Sequence, residues 1–158
     1  MNKHSENLKV RIGDILIGDG DVALEKEIEV APYQIPGLDN CAIFSPIKIK
    51  SAIHRIDRNA AMVIIRVSYD LETGCSRCLT NINIPIDFKA EGVFSVHPDL
   101  DEGEFSINKF AEIDLTRFLE EEIVLHIPTS SLCSKGCKGI CNQCGKNLNK
   151  EKCRCKKS

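Results

Sequence analysis

The stretch IKIKSAIHRIDRNAAMVIIRVSYDLETGCSRCLTNINIPIDFK, residues 47–89, carries the period of two that marks half-buried strands. Ile47, Ile49 and Ile53 share one parity, while Lys48, Lys50 and His54 take the other. After a turn at 57–59, Ala61, Val63, Ile65, Val67, Tyr69 and Leu71 alternate with partly polar neighbours, a β-branched run that pairs back as a hairpin. Beyond a second turn at 74–80, Ile82, Ile84, Ile86 and Phe88 repeat the alternation. The expectation is three sequential antiparallel strands.

Toward the N-terminus, 8–12 and 23–30 read as two further strand-like stretches separated by turn residues at 18–21. Three prolines and Gly37 make 32–46 an irregular connection with little regular ladder. Toward the C-terminus, 99–103 is an acidic loop, expected to be mobile. A helix follows it: Asp114 offers a cap, and Leu115, Phe118, Leu119 and Ile123 fall on one face. Pro128 ends that element, and the remainder is too rich in Cys, Gly, Lys and Asn to form its own core. The fold class expected is therefore α+β: an antiparallel sheet, partly barrel-like, one main helix, and a C-terminal cysteine-rich zinc-binding segment. The division is a β-rich domain over 1–130 and a tail over 131–158 docked on it.

With 158 residues, a single domain can bury a real core. A net charge of -2 excludes a uniformly basic nucleic-acid binder, but it averages over unlike segments. Acids dominate between Glu91 and Glu122, whereas the tail from Leu132 carries Lys135, Lys138, Lys146, Lys150, Lys152, Arg154, Lys156 and Lys157 against Glu151 alone. Lys9, Arg11 and Asp14 break up the N-terminal apolar residues, which argues against an export signal and for a cytoplasmic protein. The longest apolar run, 60–65, is far short of the ~20 residues that span a bilayer, so no membrane association is expected.

Nine cysteines in a reducing compartment point to metal ligation over disulfides. Cys41 stands alone near Ala42 and Ile43, as a small apolar side chain does. Cys141 and Cys144, followed by Gly145, have the spacing of a zinc knuckle, in which a glycine accepts the positive φ that closes the turn. Cys153 and Cys155 return to complete one tetrahedral set. Cys75 and Cys78 form a second knuckle at a strand-to-strand turn, and Cys133 and Cys137 offer its other half, giving eight ligands and two ions. A rival scheme places one ion among Cys75, Cys78, Cys141 and Cys144. Zinc is the expected ion in either case, one or two in number, and iron fits the same thiolates. A third option treats Cys75 and Cys78 as a redox pair, but such pairs open a helix and strands flank this one.

The histidines, at 4, 54, 97 and 126, form no catalytic group. No glycine-rich phosphate loop is present, so neither an enzyme nor a small-molecule substrate is expected.

Three segments together, GCSRCLT at 74–80, IDLTRFLEEEIVLHIP at 113–128 and LCSKGCKGICNQCGKNLN at 132–149 followed by CRC at 153–155, resemble the YceD family of large ribosomal RNA subunit accumulation proteins. The resemblance implies a non-enzymatic accessory factor in ribosome biogenesis that supports synthesis, processing or stability of large-subunit ribosomal RNA. Its partners would be ribosomal RNA or a large-subunit ribosomal protein. Arg77, Lys138, Lys146, Arg154 and Lys156 are the residues expected to meet phosphate. The alternative is an adaptor that binds a ribosomal protein or a nuclease without touching RNA.

Overall fold

A computed structural model describes residues 8–18, 23–35, 41–97 and 103–155. In chain order these form β1 (Lys9–Arg11), α1 (Gly13–Ile17), β2 (Ala23–Val30), β3 (Cys41–Ile43), β4 (Ile47–Arg55), β5 (Ala60–Gly74), β6 (Asn81–Ser95), β7 (Glu104–Ser106), β8 (Glu112–Asp114) and α2 (Thr116–Leu125). The three alternating runs are β4, β5 and β6, and they pair antiparallel in sequence order. Val63, Ile65, Val67 and Leu71 of β5 are essentially inaccessible, because every second side chain points to the same covered face.

The six-stranded sheet runs β2-β4-β5-β6-β7, with β3 beside the end of β5. It is open, which corrects the expected curl toward a barrel. Neither β2 nor β7 pairs with the other, and the apolar face is covered by other elements: Leu8, Val10, Ile12, Ile15 and Leu16 of the N-terminal segment join Leu115, Phe118, Leu119 and Ile123 in one core with the strands. Nor is the sheet wholly antiparallel, since β7 runs parallel to β6. The N-terminal segment is held by β1, which pairs with β8 just ahead of α2, Val10 opposite Ile113.

Two details show how sequence sets this packing. β6 continues beyond Phe88 to Ser95, and Gly92 on its buried face is where α2 approaches: a Cβ there would lie 2.9 Å from Phe118 Cε2. Phe118 in turn meets Phe94 edge-on with centroids 5.9 Å apart. Asp114 does bind the first turn of α2, its carboxylate accepting the Thr116 N–H at 2.9 Å, although Leu115 holds the cap position. The connection 32–46 contains one short strand, β3, while the acidic residues 99–102 and the turn residues 19–21 lie outside the described residues. Cys41 is half-buried against the core, its Sγ 3.3 Å from Thr73 Oγ1.

Candidate metal centres

The turn between β5 and β6 and a turn in the tail are built alike. In the first, Cys75 N–H donates to Thr80 O at 2.9 Å and Leu79 N–H to Cys75 O at 2.9 Å; in the second, Cys141 N–H donates to Lys146 O at 2.8 Å and Gly145 N–H to Cys141 O at 2.8 Å. Each turn closes through a positive φ one residue after its second cysteine: Gly145 at 71°, and in the first turn Leu79 at 57°. The first knuckle thus sets a leucine where the second has the glycine that favours this conformation.

The tail reaches the first knuckle through polar contacts. Ser76 N–H donates to Ser131 O at 2.7 Å and Ser131 N–H to Ser76 Oγ at 3.0 Å. The chain then crosses the Arg77 carbonyl, which accepts the Ile140 N–H at 3.1 Å, while the Arg77 guanidinium donates to Cys137 O at 3.2 Å. The crossing is close enough that a Cβ on Gly139, at φ 73°, would stand 3.0 Å from Arg77 O. These contacts bring Cys133 and Cys137 against Cys75 and Cys78.

Two four-cysteine groups result. One comprises Cys75, Cys78, Cys133 and Cys137, the other Cys141, Cys144, Cys153 and Cys155, and within each the sulfurs lie within 4.8 Å of one another. The fold does not gather Cys75, Cys78, Cys141 and Cys144 into one set. Cys75 Sγ is 3.8 Å from Cys137 Sγ, Cys78 Sγ 3.6 Å from Cys133 Sγ, and Cys153 Sγ 3.3 Å from Cys141 Sγ and 3.6 Å from Cys144 Sγ. Sulfurs at about 2.3 Å from a tetrahedral zinc stand about 3.8 Å apart, whereas bonded sulfurs stand near 2 Å. The donor sets therefore fit an ion of that size, and all nine thiols are free. Four thiolates also close a tetrahedral shell, the chemistry of a structural site with no open position.

The surroundings favour thiolate at the same place in both knuckles. The Cys75 thiol is pulled down to about 6 by the backbone N–H of Arg77, aided by that of Cys133. The Cys141 thiol is likewise pulled down to about 6 by the N–H groups of Gln143 and then Cys144. Cys133 and Cys155 are pushed up to about 12, the first by Cys137 and Cys78, the second by Cys153 and Cys144. Clustered sulfurs resist ionising together until a cation offsets their repulsion.

The centres differ in burial. In the first, Cys75, Cys78 and Cys137 are buried beside Ile82 and Cys133 is exposed; in the second, Cys144 is exposed and Cys141, Cys153 and Cys155 are partly so. Asn149 ties them together, its Oδ1 accepting the Lys138 N–H at 2.8 Å and its Nδ2 donating to Cys137 Sγ at 3.4 Å. Asn147 Nδ2 donates to Thr80 Oγ1 at 3.1 Å, fixing the second knuckle to the first. Neither asparagine was among the expected site residues; the sequence places both in the loop that returns Cys153 and Cys155 to Cys141 and Cys144, with no sign that their side chains bind the first knuckle. Among the expected phosphate contacts, Arg77 is engaged with Cys137 O, Lys146 pairs with Glu151 at 3.2 Å, Lys138 and Arg154 are exposed, and Lys156 lies outside the described residues.

An open, mostly antiparallel sheet that carries one four-cysteine cluster at its central turn and a second in the docked tail defines the class: a small β-rich domain with two candidate structural metal centres. The family model described as large ribosomal RNA subunit accumulation protein YceD matches residues 63–158, more than half of the chain, and the chain belongs to that family. The match includes all eight clustered cysteines. A chloroplastic protein of Arabidopsis thaliana named large ribosomal RNA subunit accumulation protein YCED homolog 1 is 43% identical over 44 residues, 28% of this chain and 14% of that protein. The uncharacterised protein YlbN of Bacillus subtilis strain 168 is 30% identical over 108 residues, 65% of this chain and 61% of that protein. The chain therefore spans less than two thirds of either relative's length. No solved structure matches it significantly. The family description names accumulation of ribosomal RNA and no reaction. Among the described residues no helix is long and apolar enough to cross a membrane.

Proposed function

We propose that this protein is a non-enzymatic accessory factor that supports the synthesis, processing or stability of large-subunit ribosomal RNA in the cytoplasm. Each cysteine cluster holds one zinc ion, and the two ions give the tail over 131–158 a fixed shape on the β-rich domain over 1–130. The observation that carries the proposal is the family match over 63–158, a span that contains both clusters and the basic tail together. Zinc fits the donor sets better than a hard cation because the ligands are all thiolates.

Within the tail, the exposed Lys138 and Arg154, together with Lys156, present positive charge to phosphate. Arg77 serves this face indirectly, by holding the Cys137 carbonyl. Ultraviolet crosslinking of the full chain in cells tests the reading. Adducts of large-subunit ribosomal RNA on 131–155, with an affinity in vitro that falls steeply as salt rises, are the expected result. Adducts to protein alone would replace RNA contact with the adaptor function, a ribosomal protein or nuclease being the partner.

A further inference from the structure

The last two residues of α2 do not behave like the apolar residues before them. Phe118, Leu119 and Ile123 are buried, yet the next two residues, Val124 and Leu125, are 52% and 74% exposed. They line one side of a groove of about 520 Å³ whose other side is Tyr33 and Ile35, from the segment that follows β2. Its floor is apolar, since Ile123 and Ile35 are inaccessible or nearly so. Its remaining lining residues are Glu120 and Glu121.

The charge at this rim is of one sign. α2 reads TRFLEEEIVL, with three consecutive acids. Its lone base, Arg117, is bound to Glu121 at 2.7 Å, and Glu120 makes no ion pair among the described residues. The Tyr33 hydroxyl is pushed up to about 12 by burial and then by the Glu120 carboxylate, so the wall opposite the acids stays a neutral donor. A groove with an apolar floor and an anionic rim repels phosphate, which excludes a nucleic acid as its occupant, and attracts cationic side chains that accompany an apolar anchor. The floor offers apolar contact and few convergent polar groups, unlike a small-molecule site.

We infer that this groove docks a polypeptide segment of another protein, one that inserts large aliphatic side chains between Tyr33 and Leu125 and flanks them with lysine or arginine facing Glu120 and Glu121. The inference is independent of RNA contact by the tail, from which the groove differs in charge.

Fluorescence anisotropy with labelled peptides of equal length tests it on the full zinc-loaded chain. One peptide interleaves leucine with lysine, a second leucine with glutamate, and a third serine with lysine. The leucine–lysine peptide is expected to bind and to shift the amide resonances of 33–35 and 120–125, the others to bind at least about tenfold more weakly. The double variant Val124→Ser, Leu125→Ser should lose about tenfold or more with an unchanged circular dichroism spectrum, because both side chains are exposed. Glu120→Gln with Glu121→Gln should weaken binding several-fold and flatten its salt dependence. Equal binding of the leucine–glutamate peptide, or resonance shifts confined to another surface, overturns the inference. So does a dimer in sedimentation that the double variant abolishes, which makes a second copy the occupant. Peptide binding that appears only after Leu38→Ser also overturns it, since residues 36–40 of the same chain then fill the groove.

Discussion

Chelation should unfasten the tail and leave the sheet intact, and the size of the effect can be worked out from the contacts. Ordering the 23 residues from 133 to 155 costs on the order of 30 kcal/mol of conformational entropy. Against this stand the hydrogen bonds that join the tail to the first knuckle, namely the Ser76–Ser131 pair, the two made by Arg77, Cys133 N–H to Cys75 Sγ and Asn147 to Thr80, together with about ten inside the tail, such as Cys141 with Lys146 and Lys138 with Asn149. Such bonds contribute roughly 1 kcal/mol each, so together they offset only about half of that cost. Apolar burial adds little, because the cluster around Cys75, Cys78 and Cys137 has only Ile82 packed against it. The two zinc ions proposed above, at about 10–16 kcal/mol each, would make up the difference. The sheet has no such dependence, its core being the aliphatic residues of β4 to β6 with those of α2.

Native mass spectrometry of the reduced protein should therefore find two zinc ions. On adding a chelator, hydrogen exchange should lose protection throughout 131–155 while the amides of 61–71 and 88–95 remain protected. Cys141→Ser should remove one ion and free the second knuckle only, because the first centre takes all its ligands from 75, 78, 133 and 137. Tail amides that stay protected in metal-free protein would refute the reasoning, as would a protein that carries one ion shared by both knuckles.

Other expected outcomes follow from single residues. Gly145→Ala places a Cβ at φ 71° with open space around it, so its cost is backbone strain of about 1–2 kcal/mol, measurable as weaker zinc retention against a competing chelator. Leu79→Gly should go the other way or stay neutral, since relief of strain at φ 57° is offset by roughly 0.5–1 kcal/mol of glycine entropy; a loss above that in chelator competition contradicts the strained-turn account. Gly92→Ala meets the Phe118 ring at 2.9 Å and should destabilise by about 1–3 kcal/mol, read as a lower melting temperature with unchanged zinc content. On acidification, Cys75 and Cys141 favour the folded knuckles before metal is bound: their folded values are lowered from 9.0 to about 6. Such groups contribute stability that is complete above the unfolded value and lost as pH falls through the folded one. A pH titration followed by a zinc-sensitive dye should show release on acidification, as protons compete with the ion for the thiolates.

How much was legible in the sequence depended on how local the signal was. The β4–β5–β6 meander lies in plain alternation, but β6 could be followed only to Phe88, because Ala90 and Gly92 lack the bulk that makes a strand recognisable. Those small residues answer to α2, a partner remote in sequence. The ribbon of β1 with β8 was legible at one end only: 8–12 reads as strand-like, whereas its partner, three residues ahead of α2, is too short to stand out. The sheet was expected to be partly barrel-like, but it stays open: the aliphatic residues of 8–16 and of α2 occupy the face that a barrel would have folded around itself. Within the cysteine groups the knuckle spacings could be read directly. The sharing of sulfurs could not, because it turns on contacts without a motif: Ser76 with Ser131, Gly139 over the Arg77 carbonyl, Asn149 on Cys137.

The leucine in the first knuckle and the glycine in the second express how each turn is supported. Leu79 holds its positive φ because the turn is clamped by the full β5–β6 ladder, whose register runs from Gly74 opposite Asn81 to Ala60 opposite Ser95. A cost of about 1–2 kcal/mol is small against that pairing. The second knuckle has no ladder, only the single bridge between Ile140 and Asn147, so its turn must be intrinsically favourable and Gly145 makes it so. The same asymmetry orders the assembly. Two ligands of the first centre stand ready on a rigid hairpin, while all four of the second belong to a chain that gains its place only when Cys133 and Cys137 have docked. On the proposed two-zinc reading, metal at the first centre would precede and support metal at the second, and loss of the second centre would leave the first with all four of its ligands.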